Sequence, residues 1–205
     1  MRQAASRAIC LLFLTVLAGC RRQHVQAAPI PPLRPLRSCD AIARPVPTDS
    51  IAPLFRRRSN QDAFVRISRT VPGGFASIDR DSTGRFVVRM VDTTKADTIR
   101  AALREPFTAG RSPVEKAGIL RELATARAER VSWSMAQLID WNDYVATFVI
   151  GGPAVVGVGV NVHRQRIEVD VADENGPDVV EARLGSRRIP CGLVVIKITG
   201  PVRLL

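Results

Sequence analysis

Residues 85 to 104 are repeated, in kind, 81 residues further along the chain. Arg85 meets Arg166, Val88 meets Val169, Asp92 meets Asp173, Asp97 meets Asp178, Ala101 meets Ala182 and Leu103 meets Leu184. Phe86 and Ile167, Met90 and Val171, Ile99 and Val180 agree in apolar character. Each window reads strand, turn, strand, helix, so the pattern predicts a duplicated ββα unit with a further strand after it. Strands that alternate apolar and polar residues bury one face only, and that face must be covered by helices. The predicted class is therefore α+β, with two related ββα(β) units of antiparallel strands packed against helices. The first unit is expected over residues 59–133 and the second over 134–205, either separately or as one compact domain over 59–205.

Local signals place the elements. Ser59 and Asp62 offer N-caps for a short helix carrying Phe64 and Ile67 inward, stopped by Pro72-Gly73-Gly74. Arg85 to Val91 has strand composition, and Thr94 caps a helix with Ala96, Ile99 and Leu103 on one face. Ser112-Pro113-Val114-Glu115 joins a capping box to a proline at the first helical position. A brief strand is expected near Val131 to Trp133. Ser134 and Gln137 form a second capping box, and the helix after it groups Leu138, Trp141, Val145 and Phe148, leaving Asp140 and Asp143 to solvent. Val156 to Val162 and Ile167 to Val171 alternate as strands, followed by a helix over 177–184 and a last strand over 193–198.

The stretch most suggestive of chemistry is IDRDSTGRF, residues 78 to 86. Its acids, Asp79 and Asp81, fall as in half a calcium loop or as in the D-x-D-x-T nucleophile motif. The calcium reading needs a bidentate glutamate at loop position twelve, which is Met90, and helices on both sides. The motif resembles that of haloacid-dehalogenase-type phosphatases, which also need a downstream lysine, an acidic pair for magnesium and a large doubly wound sheet. In the second repeat the acids are replaced, roughly by Asn161 and His163, while the strand pattern persists. Asp, Ser, Thr and Gly are what a hairpin connection asks for, so a turn is predicted. No metal site is expected, since His24 and His163 are the only histidines and neither has a second soft ligand nearby. No cofactor is implied, and the absence of G-x-S-x-G and of a placed histidine argues against a serine-hydrolase triad. Gly157 and Gly159 fall on one face of a strand and are expected to admit a close helix or sheet. Trp133, Trp141 and Tyr144 are the candidate binding aromatics, with core packing as the competing role at helical spacing.

The N-terminus reads MRQAASRAICLLFLTVLAGC. Arg2 and Arg7 precede a short apolar run and small residues, the pattern of a secretory signal over residues 1–19. Leu17-Ala18-Gly19-Cys20 resembles the lipobox of bacterial lipoproteins. That resemblance implies acylation of Cys20, palmitate included, and anchoring in the membrane. Arg21 follows Cys20, where Asp would favour retention in the inner membrane, so an outer-membrane lipoprotein facing the periplasm is implied. Removing the first 19 residues, which carry two arginines and no acid, leaves 186 residues and takes the net charge from +11 to +9. Residues 20–58, with Pro29, Pro31, Pro32, Pro35, Pro45, Pro47 and Pro53, are expected to form an extended tether. Of the remaining cysteines, Cys39 and Cys191 are the pair available for a disulfide in an oxidising compartment, the alternative being two free thiols. Only Lys95, Lys116 and Lys197 are lysine among 30 basic residues, which are scattered rather than clustered. Nucleic acid is therefore not the expected partner, despite the charge.

The segment from Val155 to Pro201 resembles the small α/β modules in the pro-regions of secreted bacterial chymotrypsin-like proteases, with residues 75–104 a fainter version. The shared plan is V-x-V, a short turn, R-I-x-V-x-V, helix, proline, strand. In that family the pro-region is a folding chaperone and inhibitor that presses a sheet against its protease. The resemblance implies binding through a sheet face or edge, with no catalysis, to a separate chain such as an envelope protein or secreted protease. The rival readings are an envelope hydrolase or metal-dependent enzyme using Asp79 and Asp81, and a glycan-binding structural lipoprotein.

Overall fold

The computed structural model describes residues 33–42, 45–55 and 62–200. The signal sequence, Cys20 and His24 lie outside the described residues. The fold is α+β, built from two mixed sheets and the helices that cover them. In chain order the elements are β1 (Leu33–Pro35), α1 (Ala63–Thr70), β2 (Phe75–Arg80), β3 (Phe86–Met90), α2 (Ala96–Thr108), α3 (Pro113–Ala124) and β4 (Arg127–Arg130). The second half holds α4 (Met135–Val149), β5 (Val155–Asn161), β6 (Arg166–Val171), α5 (Gly176–Leu184) and β7 (Val194–Ile198).

The two halves share one topology. In the first, β2 and β3 pair antiparallel and β4 returns parallel to β3. In the second, β5 and β6 pair antiparallel and β7 returns parallel to β6. Even the irregularities correspond, because the hairpins slip register at Phe75/Ser77 and at Val155/Gly157. Ile99 and Leu103 of α2 and their equivalents Val180 and Leu184 of α5 are all fully buried. The first unit inserts α3 before its last strand, where the second has a loop.

The hairpin registers refine the alignment drawn from the sequence. Ile78 faces Val88, as Val158 faces Val169, so the first strands correspond at an offset of 80 and the second at 81. One extra residue in the second hairpin loop makes the difference. Asp79 and Asp81 thus correspond to Gly159 and Asn161, not to Asn161 and His163. The brief strand expected near 131–133 lies earlier, at Arg127–Arg130, and only Ala128 of β4 packs on the core.

The proline-rich stretch does not run free to residue 58. Leu33–Pro35 adds β1 to the far side of β7, giving the order β1-β7-β6-β5. Leu36 and Ile51 are buried in the second core. Backbone bonds from Leu36 N–H to the Val194 carbonyl, from Asp40 to Ile189 and from Cys191 back to Asp40 hold this segment, with the Cys39–Cys191 disulfide beside them. Proline is tolerated here because β1 is an edge strand, where one side of the backbone needs no ladder partner.

Two cores result. Phe75, Phe86, Val88 and Met90 meet α1, α2 and α3 in one, and Ile167, Val169, Val194 and Ile196 meet α4 and α5 in the other. Helix α4 lies against α1 and β2 of the first unit and against β5, β6 and α5 of the second. Its polar side is accordingly not a solvated face. Asp143 is 7% exposed, and Asp140 takes a bidentate hydrogen-bonded pair from the Arg69 guanidinium at 2.6 and 3.1 Å. Where α1, β2 and α4 meet, the buried Ser68 hydroxyl donates to the Phe75 carbonyl and accepts from the Ala136 N–H.

Candidate functional site

The DRDSTG stretch is a hairpin in the structure. Asp79 and Arg80 end β2, and Asp81 opens a three-residue loop closed by the Asp81 N–H donating to the Arg85 carbonyl and the Gly84 N–H donating to the Asp81 carbonyl. Gly84 sits at φ +80°, the left-handed position this loop requires. The Asp81 carboxylate accepts from the Thr83 hydroxyl, the Thr83 N–H and the Arg85 N–H. These bonds, the Thr83 hydroxyl foremost, hold its pKa below the ordinary carboxylate range. In the second hairpin Asn161 does the same work, accepting from Arg164 N–H. Asp79 is committed too. Its Oδ2 accepts from Ser77 and from Arg89, and lies 3.3 Å from His163 Nδ1. Arg89 also reaches Glu129 on β4 at 3.4 Å.

Both acids are thus occupied by the fold. Asp81→Asn is expected to leave the hairpin intact, because Asn161 already fills that role in the other unit. Asp79→Asn is expected to cost about 1–2 kcal/mol by weakening its charge-assisted bond to Arg89. Urea unfolding of the two variants checks both outcomes. Asp92, which rather than Thr94 is the cap because its carboxylate accepts from the Thr94 N–H and hydroxyl, and Glu115, in the Ser112 capping box, are shifted in the same direction as Asp81. Folded-state values below the unfolded ones give stability that is present above the ordinary carboxylate range. It is lost as pH falls through the depressed values, so the melting temperature should drop on acidification below about pH 4.

The candidate aromatics are not gathered at one site. Trp141 is 1% exposed and stacks edge-to-face on Tyr144, which does the same with Phe148. Both belong to the second core, and only their margins reach a shallow recess walled by Pro45, Pro47, Arg187 and Arg188. Trp133 is half-buried against the same core, with its backbone N–H donating to Gln165 Oε1. Among the described residues no group of three metal-ligating side chains occurs, and no helix is long and apolar enough to cross a membrane.

A different surface stands out at the free side of the second sheet. Strand β5 pairs with β6 alone among the described strands, and its outer face carries Gly157, Gly159 and Asn161. Directly opposite on β6, Asp170 faces Gly157 and Glu168 faces Gly159. With no side chains on the glycines, an open recess of about 330 Å³ forms over this corner, lined by Gly159, Asn161, His163, Glu168 and Asp170. The expectation that these glycines admit a helix or sheet of the same chain is corrected. A Cβ at Gly159 would meet nothing within 4 Å, and one at Gly157 would meet only Asp170 Oδ2 at 3.9 Å. Glu168 accepts from Asn161 Nδ2 at 2.8 Å. Asp170 Oδ1 is shielded from solvent without a hydrogen-bond partner, its nearest cation being Lys197 Nζ at 4.0 Å. The equivalent cross-strand pair in the first unit has opposite polarity, Arg89 facing Glu129 where Asp170 faces Lys197. The glycine spacing was visible in the sequence, but the acids beside it were not, because their juxtaposition depends on hairpin register.

Compared with known proteins, the chain matches no family model and no curated protein. Fold and surface together define an α+β protein of two related ββαβ units in which, among the described strands, β5 leaves a long sheet edge without a partner.

Proposed function

We propose that this is a non-enzymatic lipoprotein of the bacterial envelope, held to the outer membrane through Cys20, that binds a protein partner by taking an extended segment onto β5. One observation carries the reading: of the edge strands among the described residues, β5 is the longest and the only one without charge or proline, and its one irregularity is confined to Val155/Gly157. Proteins protect sheet edges with short strands, charges or proline, because a bare edge recruits other chains. Here β1 has three residues and ends in Pro35, and β4 has four, three of them charged. Strand β2 ends in Asp79 and Arg80. Strand β5, VVGVGVN, has seven residues with neither charge nor proline. A pro-region-like chaperone or inhibitor acting on a separate chain fits this mode of binding. The commitment of Asp79 and Asp81 to structural bonds favours it over the enzymatic reading.

Gly159→Val separates binding from folding. The position is open, its backbone is not left-handed, and glycine weakens a strand interior, so the variant should be as stable as the parent or more so by about 0.5–1 kcal/mol. Its branched side chain would still fill the recess and stand between an outer-face side chain of the added strand and Glu168. The test is a pull-down from solubilised envelope with the mature parent and the Gly159→Val protein, followed by mass spectrometry. A specific chain captured by the parent and lost with Gly159→Val supports the reading, and an identical set of captured chains contradicts it.

A further inference from the structure

Accepting that β5 is the docking strand, we infer that the segment it takes alternates apolar and basic side chains, with lysine or arginine read by Glu168 and Asp170. An added strand must put successive side chains on opposite faces of the sheet. On the inner face its neighbours are Val158 and Val160, which are half-buried and pack against the second core. Apolar residues there extend that core. On the outer face its neighbours are Gly157 and Gly159, which raise no barrier between the added strand and β6. Side chains on that face therefore look across the glycines at Glu168 and Asp170. Two strand spacings, roughly 10 Å, separate the added backbone from β6. The long stems of lysine and arginine, met by the glutamate side chain, close that gap, and short polar side chains do not.

Charge complementarity selects the occupant. These carboxylates stand side by side on the outer face of β6 in a chain of net charge +11, and Asp170, whose side chain is 36% exposed, turns Oδ2 toward Gly157. Lys197 stands at the limit of an ion pair with Oδ1 on the β7 side, which leaves Oδ2 as an acceptor toward β5. A second copy of the chain would suit the site poorly. Its own β5 would offer only Gly157, Gly159 and Asn161 to the outer face and bring no cation to either acid.

The experiment is calorimetric titration of the mature chain with capped heptapeptides. The sequence Lys-Val-Lys-Val-Lys-Val-Lys is compared with versions carrying Thr or Glu for Lys, and with Lys-Lys-Val-Lys-Lys-Val-Val, equal in composition but without alternation. The alternating lysine peptide should bind about tenfold or more tightly than the threonine peptide, and the glutamate peptide should not bind. Glu168→Gln with Asp170→Asn should reduce the lysine peptide to the threonine level, with circular dichroism showing the fold retained. Gly159→Val should weaken the alternating lysine peptide by standing in its path to Glu168. Equal binding of the lysine and threonine peptides, or an unchanged response in the Glu168→Gln/Asp170→Asn protein, overturns the basic partner and leaves the edge reading standing. Equal binding of the non-alternating peptide overturns the facewise reading. If no peptide binds, the inference falls, and the edge reading falls with it only if Gly159→Val also retains every envelope partner. Concentration-dependent dimerisation lost in Gly159→Val would assign the edge to a second copy and overturn the inference.

Discussion

Replacing Cys39 and Cys191 together by serine is expected to lower the free energy of unfolding by about 4–5 kcal/mol, the chain-entropy value for a very long closed loop. The bond joins residues 152 apart in sequence, so it encloses nearly all of the described fold. It also fastens the segment of β1 to the approach of β7, where the Asp40 N–H already donates to the Ile189 carbonyl and the Cys191 N–H to the Asp40 carbonyl. Losing the link therefore frees the unfolded chain and loosens a native edge at once. Urea unfolding of parent and double variant, each with and without reductant, reads the effect. The parent should fall to the variant's stability under reduction, and the variant should not respond. A difference below about 1 kcal/mol would mean that the reduced unfolded chain is already held compact near these residues.

Trp141→Ala should be nearly as severe, at about 3–5 kcal/mol, as expected for truncating a large aromatic in a packed interior. Trp141 is 1% exposed and sits with its ring centroid 5.6 Å from that of Tyr144. Deleting it empties the centre of the second core, where α4 meets the sheet. Trp141→Phe keeps an aromatic face and should recover much of the loss. If Trp141 were instead a ligand platform, Trp141→Ala would spare stability and weaken partner capture. Measuring melting and capture on the same protein decides between the roles.

The repeat was legible because strand alternation and helix spacing survive without side-chain identity. The offset of 81 aligned Val88 with Val169 and Leu103 with Leu184, and those pairs are buried alike. What stayed hidden depended on neighbours distant in sequence. Arg-Ala-Glu-Arg has no apolar strand signature, and β4 is a strand because β3 offers it a parallel partner. Leu33-Arg34-Pro35 looked like tether, and it forms β1 because β7 has an edge to fill. Asp143 looked solvent-facing because one helical period shows only one apolar face, whereas α4 is covered by both units.

The site was half legible for the same reason. Asp79 and Asp81 drew attention through a motif, yet local turn bonds and the Arg89 pair account for both. Gly157 and Gly159 were conspicuous, but whether they face a neighbour or open space is set by the packing of the whole sheet. Glu168 and Asp170 look like ordinary outer-face strand residues until the hairpin register places them opposite glycines.

Residue-resolved amide hydrogen exchange of β5 tests the central claim most directly, in the mature protein alone and with the alternating lysine–valine peptide. In the free protein, alternate amides of Val155–Asn161, those pointing away from β6, should exchange rapidly while the inward ones are protected. Peptide should slow the outward set, with little change at Arg187 and Arg188. Full protection along β5 before any peptide is added, or protection gained only at the Arg187–Arg188 recess, would contradict the assignment of β5 as the docking strand.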